Sequence, residues 1–318
     1  MKYLDARVEG DGYRVALAEA PIPAPGGDEV LVRVAASGVN RADLSQIAGA
    51  YPPPPGEPEI LGLELAGVVV ETGEKVCALV AGGGHAEYAA VPRGQILPAP
   101  LSLDLASTAA LPEAFLTAYL NLAIEGELRE GEAALVHAGA SGVGLAAIQT
   151  AKYLGARVAA TTRSASKLEA MRQAGADLAT LAESFASVIE EAWGAGAIHV
   201  ILDPVGARTL ADDLRVLALG GRIVFLATMS GGKAELDIAR LMARRGRLIG
   251  STLRSRPRAE KARLVARFRE EVLPGFDSGA LSVSIDSMFP PRRAAEAFER
   301  MKQNRNVGKI LIDWSGRA

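Results

Sequence analysis

Leu135-Val-His-Ala-Gly-Ala-Ser-Gly-Val-Gly144 is the stretch that decides the fold of this chain. A short apolar run, Ala133–Val136, leads into it, and a helix-like segment continues to Gly155. A second apolar run follows at Arg157–Thr161. The pattern predicts strand, glycine turn, helix and strand, a unit whose helix N-terminus attracts a pyrophosphate through unpaired N–H groups and the helix dipole. We therefore expect a bound dinucleotide.

The glycines of this turn are spaced Gly139-x-x-Gly142-x-Gly144, which differs from the common dinucleotide fingerprint G-x-G-x-x-G. The prediction therefore depends on the whole strand-turn-helix-strand unit rather than on the spacing alone. A tight turn that binds no ligand would show the same glycines, and this alternative stays open. The residues expected to bind the cofactor here are Gly139, Ser141, Gly142, Val143 and Gly144.

The end of the second strand indicates which nicotinamide dinucleotide is bound. A carboxylate there would accept from the ribose 2′-OH and repel a 2′-phosphate, but no acidic residue lies between Glu132 and Glu169. The strand instead leads into Thr161-Thr-Arg-Ser-Ala-Ser-Lys167, which offers two cations and several hydroxyls and favours NADPH over NADH. In the alternative interpretation, a serine only caps the next helix and both cations are solvated. The phosphate-binding candidates are Thr162, Arg163, Ser164 and Lys167.

Length, charge and cysteine content indicate the number of domains, the kinds of partner and the location to expect. With 318 residues the chain is long enough for two domains. Its 35 basic and 37 acidic residues give a net charge of −2, which argues against a nucleic-acid or membrane-surface partner. No apolar run reaches membrane-spanning length, and Met1–Arg7 is too charged for a signal peptide, so we expect a cytoplasmic protein. The single cysteine, Cys77, cannot form an internal disulfide and is expected to be buried.

The pattern of apolar runs changes near residue 100. Before it, Gly and Pro interrupt short runs typical of a compact β-domain, at Val30–Ala35, Ile60–Val70, Lys75–Val80 and Ala86–Val91. After it, helices alternate with predicted strands at Ala133–Val136, Arg157–Thr161, His199–Leu202, Arg222–Ala227 and Arg247–Leu253, which predicts a doubly wound parallel sheet. The tail is assigned to the first domain, with a helix at Ala259–Val272, a strand at Leu281–Ile285, a helix at Arg292–Gln303 and a strand at Gly308–Trp314.

Four segments of the chain carry a family resemblance: Val39-Asn-Arg-Ala-Asp43, Gly62-Leu-Glu64, His137–Gly144 and Asp203-Pro-Val-Gly206. With the domain order, they resemble the medium-chain dehydrogenase/reductase superfamily in its zinc-free quinone oxidoreductase (zeta-crystallin-like) branch. Within that branch the chain is most similar to the p53-inducible quinone oxidoreductases, through Ala35–Leu44, Tyr51–Gly56, Leu111–Thr117 and Leu253–Arg256. The resemblance covers nearly the whole chain.

The resemblance implies an α/β protein of two domains. Residues 1–112 and 254–318 would form a GroES-like β-rich catalytic domain, and residues 113–253 a Rossmann coenzyme domain with a doubly wound parallel sheet. It also implies a homodimer, in which the apolar edge strand Arg247–Leu253 could extend the sheet across a twofold axis.

No metal is predicted. Zinc alcohol dehydrogenases of the superfamily use a cysteine in the first loop and a Gly-His-Glu motif, whereas this chain has Asn40 in that region and Leu63 at the histidine. The lobe with four structural cysteines is also missing. His85, His137 and His199 are scattered along the chain and are interpreted as structural.

Without zinc, hydrogen-bond donors must polarise the acceptor, which favours an electron-poor substrate such as a quinone. Hydride would pass from the nicotinamide C4, with the protein supplying orientation and either solvent or a side chain supplying the proton. The catalytic candidates are Asn40, Tyr51 and Asp43. Asn40 would set the nicotinamide-side geometry, and Asp43 would orient Asn40. Tyr51 would line the acceptor site and could donate a hydrogen bond to the acceptor. In the alternative interpretation, Tyr51 only stacks on the neighbouring prolines.

Further cofactor contacts are expected where other strands end, since ligands collect at the carboxyl ends of parallel strands. These candidates are Asp203, Val205, Gly206, Ala227 and Met229. The family resemblance adds Asn306 and Lys309, in a segment that closes over the cofactor. Arg254 and Arg256 either border the acceptor site or are interface or solvated arginines.

Two other functions stay open at this stage. The first is NADPH-dependent reduction of the C=C bond of 2-alkenals or enones, which would use the same hydride donor. The second is a non-enzymatic role as a dinucleotide-binding or RNA-associated protein. The chain has no concentrated basic patch and no interleaved aromatic stripe, which argues against RNA binding.

Overall fold

The computed structural model describes residues 1–316, and the chain divides into two compact units. Unit 1 contains residues 1–116 and the chain from residue 253 onward, and unit 2 contains Thr117–Thr252. The units therefore change over after residues 116 and 252, where the expected domain boundaries fall after residues 112 and 253. No helix within residues 1–316 is both long and apolar enough to cross a membrane.

The helices and strands have the following bounds. The first segment contains β1 (Lys2–Glu9), β2 (Gly12–Glu19), β3 (Glu29–Val39), α1 (Arg41–Ile47), β4 (Glu64–Val69), β5 (Lys75–Leu79), β6 (Tyr88–Pro92), β7 (Ile96–Pro98) and α2 (Pro112–Tyr119). Unit 2 continues with β8 (Ala133–Val136), α3 (Gly142–Tyr153), β9 (Arg157–Thr162), α4 (Leu168–Gln173), β10 (Leu178–Leu181), α5 (Phe185–Trp193), β11 (Ile198–Asp203), α6 (Leu210–Val216), β12 (Leu217–Phe225), α7 (Ile238–Arg244) and β13 (Arg247–Gly250). The return segment contains α8 (Arg258–Glu271), α9 (Pro274–Asp277), β14 (Ile285–Phe289), α10 (Ala294–Lys302) and β15 (Lys309–Asp313).

Unit 1 is built on a mainly antiparallel sheet with strand order β14-β15-β3-β4-β5-β7, and β6 pairs with β3 as well. The long central strand β3 alternates buried and outward residues, so that Val30, Val32 and Val34 enter the core. Strand β4 approaches β3 closely at Gly67, where a Cβ would lie 2.2 Å from the Arg33 carbonyl oxygen. The predicted β-domain is confirmed, and β15 from the return segment completes its sheet next to β3.

One strand prediction in the return segment is wrong. Leu281–Ile285 was expected to be a strand, whereas β14 covers Ile285–Phe289. Leu281 is buried because it packs after the α9 turn, and its N–H donates to the Gly275 carbonyl oxygen at 2.9 Å. An apolar side chain that closes a helical turn therefore resembled the start of a strand.

Unit 2 contains a six-stranded parallel sheet with strand order β10-β9-β8-β11-β12-β13. The four residues of β8 are all buried, as expected of a strand covered on both faces. Chain order reverses direction between β8 and β11, and ligands of doubly wound sheets bind beyond the carboxyl ends of the strands at such a switch point. The predicted Rossmann architecture is confirmed.

Candidate functional site

The glycine turn of unit 2 lies at the switch point, between β8 and α3. Ser141 is the N-cap of α3, and its Oγ accepts from the Gly144 N–H at 3.0 Å. The N–H groups of the first helical residues, Gly142 and Val143, have no intrahelical acceptor. A Cβ at Gly144 would lie 2.4 Å from the Ala138 carbonyl oxygen, so only glycine permits this packing. The structure brings together all five predicted turn residues: Gly139, Ser141, Gly142, Val143 and Gly144.

The phosphate candidates follow the neighbouring strand, β9. Arg163 is exposed and forms no ion pair with any residue that the structure describes. Ser164 precedes the 3-10 turn Ala165–Lys167 without capping it through its side chain, because its Oγ lies 2.9 Å from the Ser166 Oγ. Thr162 ends the strand, and its Oγ1 accepts from the Ser164 N–H at 3.3 Å. The hydroxyls and the two cations thus lie at one strand end, next to the glycine turn.

The loops after β11 and β12, which hold further cofactor candidates, contact each other. Met229 and Ser230 donate backbone hydrogen bonds to Pro204 and Val205, at 3.1 and 2.8 Å. This pairing places the candidates Asp203, Val205 and Gly206 beside Ala227 and Met229.

The Asp203 carboxylate, however, is fully buried within its own loop. It accepts from Val205 N–H at 2.5 Å, Gly206 N–H at 3.0 Å and Thr209 Oγ1 at 2.8 Å. The backbone of this loop, rather than that carboxylate, is therefore what a ligand could reach.

These residues fit a dinucleotide cofactor. The start of α3 offers N–H groups and the positive end of a helix dipole for the pyrophosphate. Arg163 and Lys167 are the two cations on which the expected preference for NADPH depends, and no acidic residue occurs between Glu132 and Glu169. Preference for NADPH over NADH stays a prediction.

A buried His–Asp pair lies beneath the turn. The His137 Nε2 is 2.8 Å from the Asp213 Oδ1, and its Nδ1 is 2.8 Å from the Thr161 Oγ1. Burial raises the pKa of Asp213 to about 6. Burial opposes a charged His137, but the Asp213 carboxylate outweighs this effect and raises the pKa of the imidazole. The pair connects β8 to α6, which agrees with the structural role predicted for His137.

A polar cluster in unit 1 holds the predicted catalytic residue Asn40. Its amide donates to the Glu64 Oε1 at 2.9 Å and to the Gly38 carbonyl at 3.1 Å, and its Oδ1 accepts from the Lys309 Nζ at 2.6 Å. The Lys309 ammonium also donates to the Glu64 carboxylate and to the Val39 carbonyl. Because Glu64 is fully buried and Lys309 almost so, this ion pair fixes the Asn40 amide in one orientation.

Gly38 and Asp43 complete the support of Asn40. A Cβ at Gly38 would lie 2.2 Å from the Glu64 Oε1, so glycine makes room for the carboxylate. The Asp43 Oδ2 accepts from the Asn40 backbone N–H at 2.7 Å, and its Oδ1 accepts from the Gly62 N–H at 3.2 Å. Asp43 thus holds the backbone of Asn40, whereas Glu64 and Lys309 hold its side chain.

Two residues predicted to bind the cofactor lie in unit 1. Lys309 is only 3% exposed and belongs to the cluster around Asn40 and Glu64. Asn306 is also buried, and its Nδ2 donates to the Gly308 carbonyl at 2.8 Å. Contact of either residue with a cofactor stays a prediction.

Tyr51 is held by Arg254. The buried guanidinium donates to the Tyr51 carbonyl at 3.0 Å, the Ala81 carbonyl at 2.8 Å and the Gln46 Oε1 at 2.7 Å. It also lies 5.2 Å from the centre of the Tyr51 ring. Burial raises the pKa of the Tyr51 phenol, so the group stays protonated at neutral pH. Arg254 is therefore a buried support of the Tyr51 loop and not a solvated arginine.

Glu113 is a residue of the cluster around Asn40 and Glu64 that the sequence did not predict. It is the second residue of α2, and its backbone N–H donates to the Glu64 Oε2 at 2.8 Å. Its side chain forms no hydrogen bond or ion pair with the described residues, and it remains partly exposed. Burial and the Glu64 charge raise the pKa of its carboxyl to about 8. Glu113 lies within Leu111–Thr117, a segment that contributed only to the family resemblance. An acidic residue in the first turn of a helix usually interacts with the helix dipole, so its position alone did not indicate a functional role.

Metal ligands do not cluster in the part of the chain described. Among residues 1–316, no three His, Cys, Asp or Glu side chains are placed to hold an ion. Cys77 is a buried free thiol, as expected, and burial raises its pKa. Independence from zinc stays a prediction.

Comparison with known proteins assigns the family. The profile described as the alcohol dehydrogenase GroES-like domain matches residues 26–101, and the one described as zinc-binding dehydrogenase matches residues 142–270. The solved quinone oxidoreductase from Thermus thermophilus, studied with and without NADPH, is 32% identical with a TM-score of 0.86, covering 98% of this chain and 100% of that chain. The chain belongs to the medium-chain dehydrogenase/reductase superfamily.

Curated relatives of this superfamily member differ in length. The quinone oxidoreductase of Rattus norvegicus is 29% identical and is matched over 92% of this chain and 91% of its own length. The spectinabilin polyketide synthase system protein NorB of Streptomyces orinoci is 35% identical over 93% of this chain. The chain spans only 13% of the length of NorB.

Proposed function

We propose that this chain is an oxidoreductase that transfers hydride from NADPH to a quinone without zinc. The observation that carries the proposal is the strand-end site of unit 2. There the N-terminus of α3 follows β8, and Arg163 and Lys167 follow the neighbouring strand β9. No carboxylate stands at the end of β9, where it would repel a 2′-phosphate. The similarity to a quinone oxidoreductase that was solved with NADPH supports both the cofactor and the substrate class.

Different residues of this chain would bind the cofactor and polarise the acceptor. When bound, NADPH supplies the hydride, and the protein supplies binding and orientation. The N–H groups at the start of α3 would hold the pyrophosphate, while Arg163, Ser164 and Lys167 would hold the 2′-phosphate. Tyr51, fixed by Arg254, would donate a hydrogen bond to the acceptor oxygen. The buried Glu64–Lys309 pair would keep Asn40 in place without moving during turnover.

A rival substrate class is an enal or enone, reduced at its C=C bond by the same donor. The similarity to a polyketide synthase protein is the observation that favours it. Initial rates of NADPH oxidation with naphthoquinones, benzoquinones and 2-alkenals separate the two classes. We expect fast turnover of quinones and slow turnover of alkenals. Turnover of alkenals alone would refute the quinone proposal while leaving the cofactor proposal intact.

Cofactor preference gives a second test. Replacing both cations, as in Arg163→Ala with Lys167→Ala, should raise the KM for NADPH by about 10- to 100-fold, since a charged hydrogen bond is worth about 1.5–3 kcal/mol. The KM for NADH should change little, because NADH lacks the 2′-phosphate.

The matched control is Arg172→Ala, which removes an exposed arginine that pairs with Glu169 on α4. It should leave both KM values unchanged. If the double replacement raised the KM for NADPH and the KM for NADH by the same factor, the assignment of the 2′-phosphate site would be contradicted.

A further inference from the structure

Glu113 differs from the other polar residues near Asn40 in unit 1. Asn40, Glu64 and Lys309 satisfy one another through hydrogen bonds. The Glu113 backbone joins them through the Glu64 Oε2, but its carboxyl makes no hydrogen bond or ion pair with residues 1–316. A partly exposed acid that no neighbour uses is free to exchange a proton with a bound molecule.

The charges that act on this carboxyl come from several elements. Glu64 on β4 and Asp43 on α1 disfavour its ionisation, while Lys309 on β15 and Arg254 favour it. Burial is the largest effect, and it combines with Glu64 to raise the pKa to about 8. Glu113 therefore keeps its proton at neutral pH, as a general acid requires.

Glu113 also acts on the predicted acceptor residue. Its charge raises the pKa of the Tyr51 phenol, while Arg254 lowers it. The Glu113 charge thus reaches the Tyr51 phenol, and the Arg254 guanidinium acts on the pKa of both residues. One hydrogen-bond donor and one carboxylic acid are therefore grouped on the same part of unit 1.

We propose that Glu113 is the catalytic acid that protonates the reduced acceptor, an inference that rests on the proposed quinone reduction. The quinone accepts hydride at one oxygen and forms an O–H bond there as the nicotinamide C4–H bond breaks, so the quinone is reduced by two electrons and NADPH is oxidised to NADP⁺. The product at that point is a hydroquinone monoanion. The Glu113 O–H bond then breaks, its proton forms the second hydroxyl of the neutral hydroquinone, and the carboxylate regains a proton from solvent.

Two other proton sources predict different pH profiles. If the Tyr51 phenol supplied the proton, activity would persist to a pH above about 10, the ordinary tyrosine pKa, because burial raises this value further. If solvent supplied the proton, removing the Glu113 carboxyl would leave the rate and the profile unchanged. If Glu113 supplies the proton, activity should fall as the pH rises through about 8, because its carboxyl then loses the proton that it would donate.

The experiment measures kcat and kcat/KM for a quinone from pH 6 to about 10, together with the NADPH dissociation constant, for wild type, Glu113→Gln, Glu113→Asp and Tyr51→Phe. Glu270→Gln, which alters an exposed glutamate on α8, is the control. We expect Glu113→Gln to lower kcat by about 10²-fold, to lose the fall near pH 8 and to keep its NADPH affinity. Glu113→Asp should recover part of the rate together with an alkaline fall.

The outcomes separate this inference from the proposed function. An active wild type whose rate and profile survive Glu113→Gln overturns the acid role alone. A wild-type profile without a fall near pH 8, with a rate that Tyr51→Phe lowers and Glu113→Gln leaves unchanged, assigns the proton to Tyr51 and also overturns it. A wild type that binds NADPH but reduces no acceptor overturns the proposed function, and the acid role with it.

Discussion

At the scale of single residues, Lys309 is the cation that neutralises the buried Glu64. Replacing it in Lys309→Met would leave the carboxylate buried with only the Asn40 amide and the Glu113 N–H as partners. Breaking one partner of a buried ion pair costs about 3–5 kcal/mol. We expect a loss of this size in the free energy of unfolding, measured by urea denaturation.

The matched variant for Lys309 is Lys75→Met, which removes an exposed lysine from β5 of the same sheet. It should change the free energy of unfolding by less than about 0.5 kcal/mol. If both variants lost the same amount, the buried pair would not be the source of the effect.

Glu113 should also make stability depend on pH. Because folding raises the pKa of its carboxyl from 4.5 to about 8, the folded protein binds a proton that the unfolded chain releases in this range. This contribution is fully present below pH 4.5 and is lost as the pH rises toward 8. The melting temperature of wild type should therefore fall relative to that of Glu113→Gln over this window. If the melting temperatures of wild type and Glu113→Gln changed equally with pH across this window, the Glu113 carboxyl would not retain its proton on folding.

At the scale of elements, the N-terminus of α3 combines a cap with the predicted cofactor site. Removing the Ser141 hydroxyl in Ser141→Ala leaves the Gly144 N–H without its acceptor and should cost about 1 kcal/mol of stability. Ser141→Gly should cost only a few tenths of a kcal/mol, since glycine is tolerated at an N-cap. Urea denaturation of both variants checks this order, and the reverse order would contradict the cap.

The elements also show what the sequence could and could not predict. The β8–α3–β9 unit and its five turn residues were predictable, because their signals lie within one short stretch of chain. The strand at Leu281–Ile285 was misplaced because burial of Leu281 comes from a helical turn. The positions of Glu113 and Lys309 beside Glu64 could not be predicted, because these contacts join distant segments: Lys309 contacts Glu64 across 245 residues. Spacing carries no information about such contacts.

At the scale of the whole molecule, we predict a homodimer. Strand β13 forms one edge of the unit 2 sheet, and an unpaired edge can accept a second copy. Leu248 on β13 and Met242 on α7 are exposed apolar residues of the same unit. Light scattering should give twice the 33.1 kDa mass of the chain.

A charged edge should prevent this association. Leu248→Lys should give the mass of a single chain, while Leu101→Lys, at a 95% exposed leucine of unit 1, should remain a dimer. A wild type with the mass of a single chain would contradict the predicted assembly.

We propose above that this chain passes hydride from NADPH to a quinone without a metal. A single-turnover experiment tests it most directly: chelator-treated protein loaded with one equivalent of NADPH is mixed anaerobically with excess naphthoquinone. We predict rapid loss of the NADPH absorbance with an equal amount of hydroquinone formed. NADPH that stays bound and intact, or activity that returns only when zinc is added, would contradict the account.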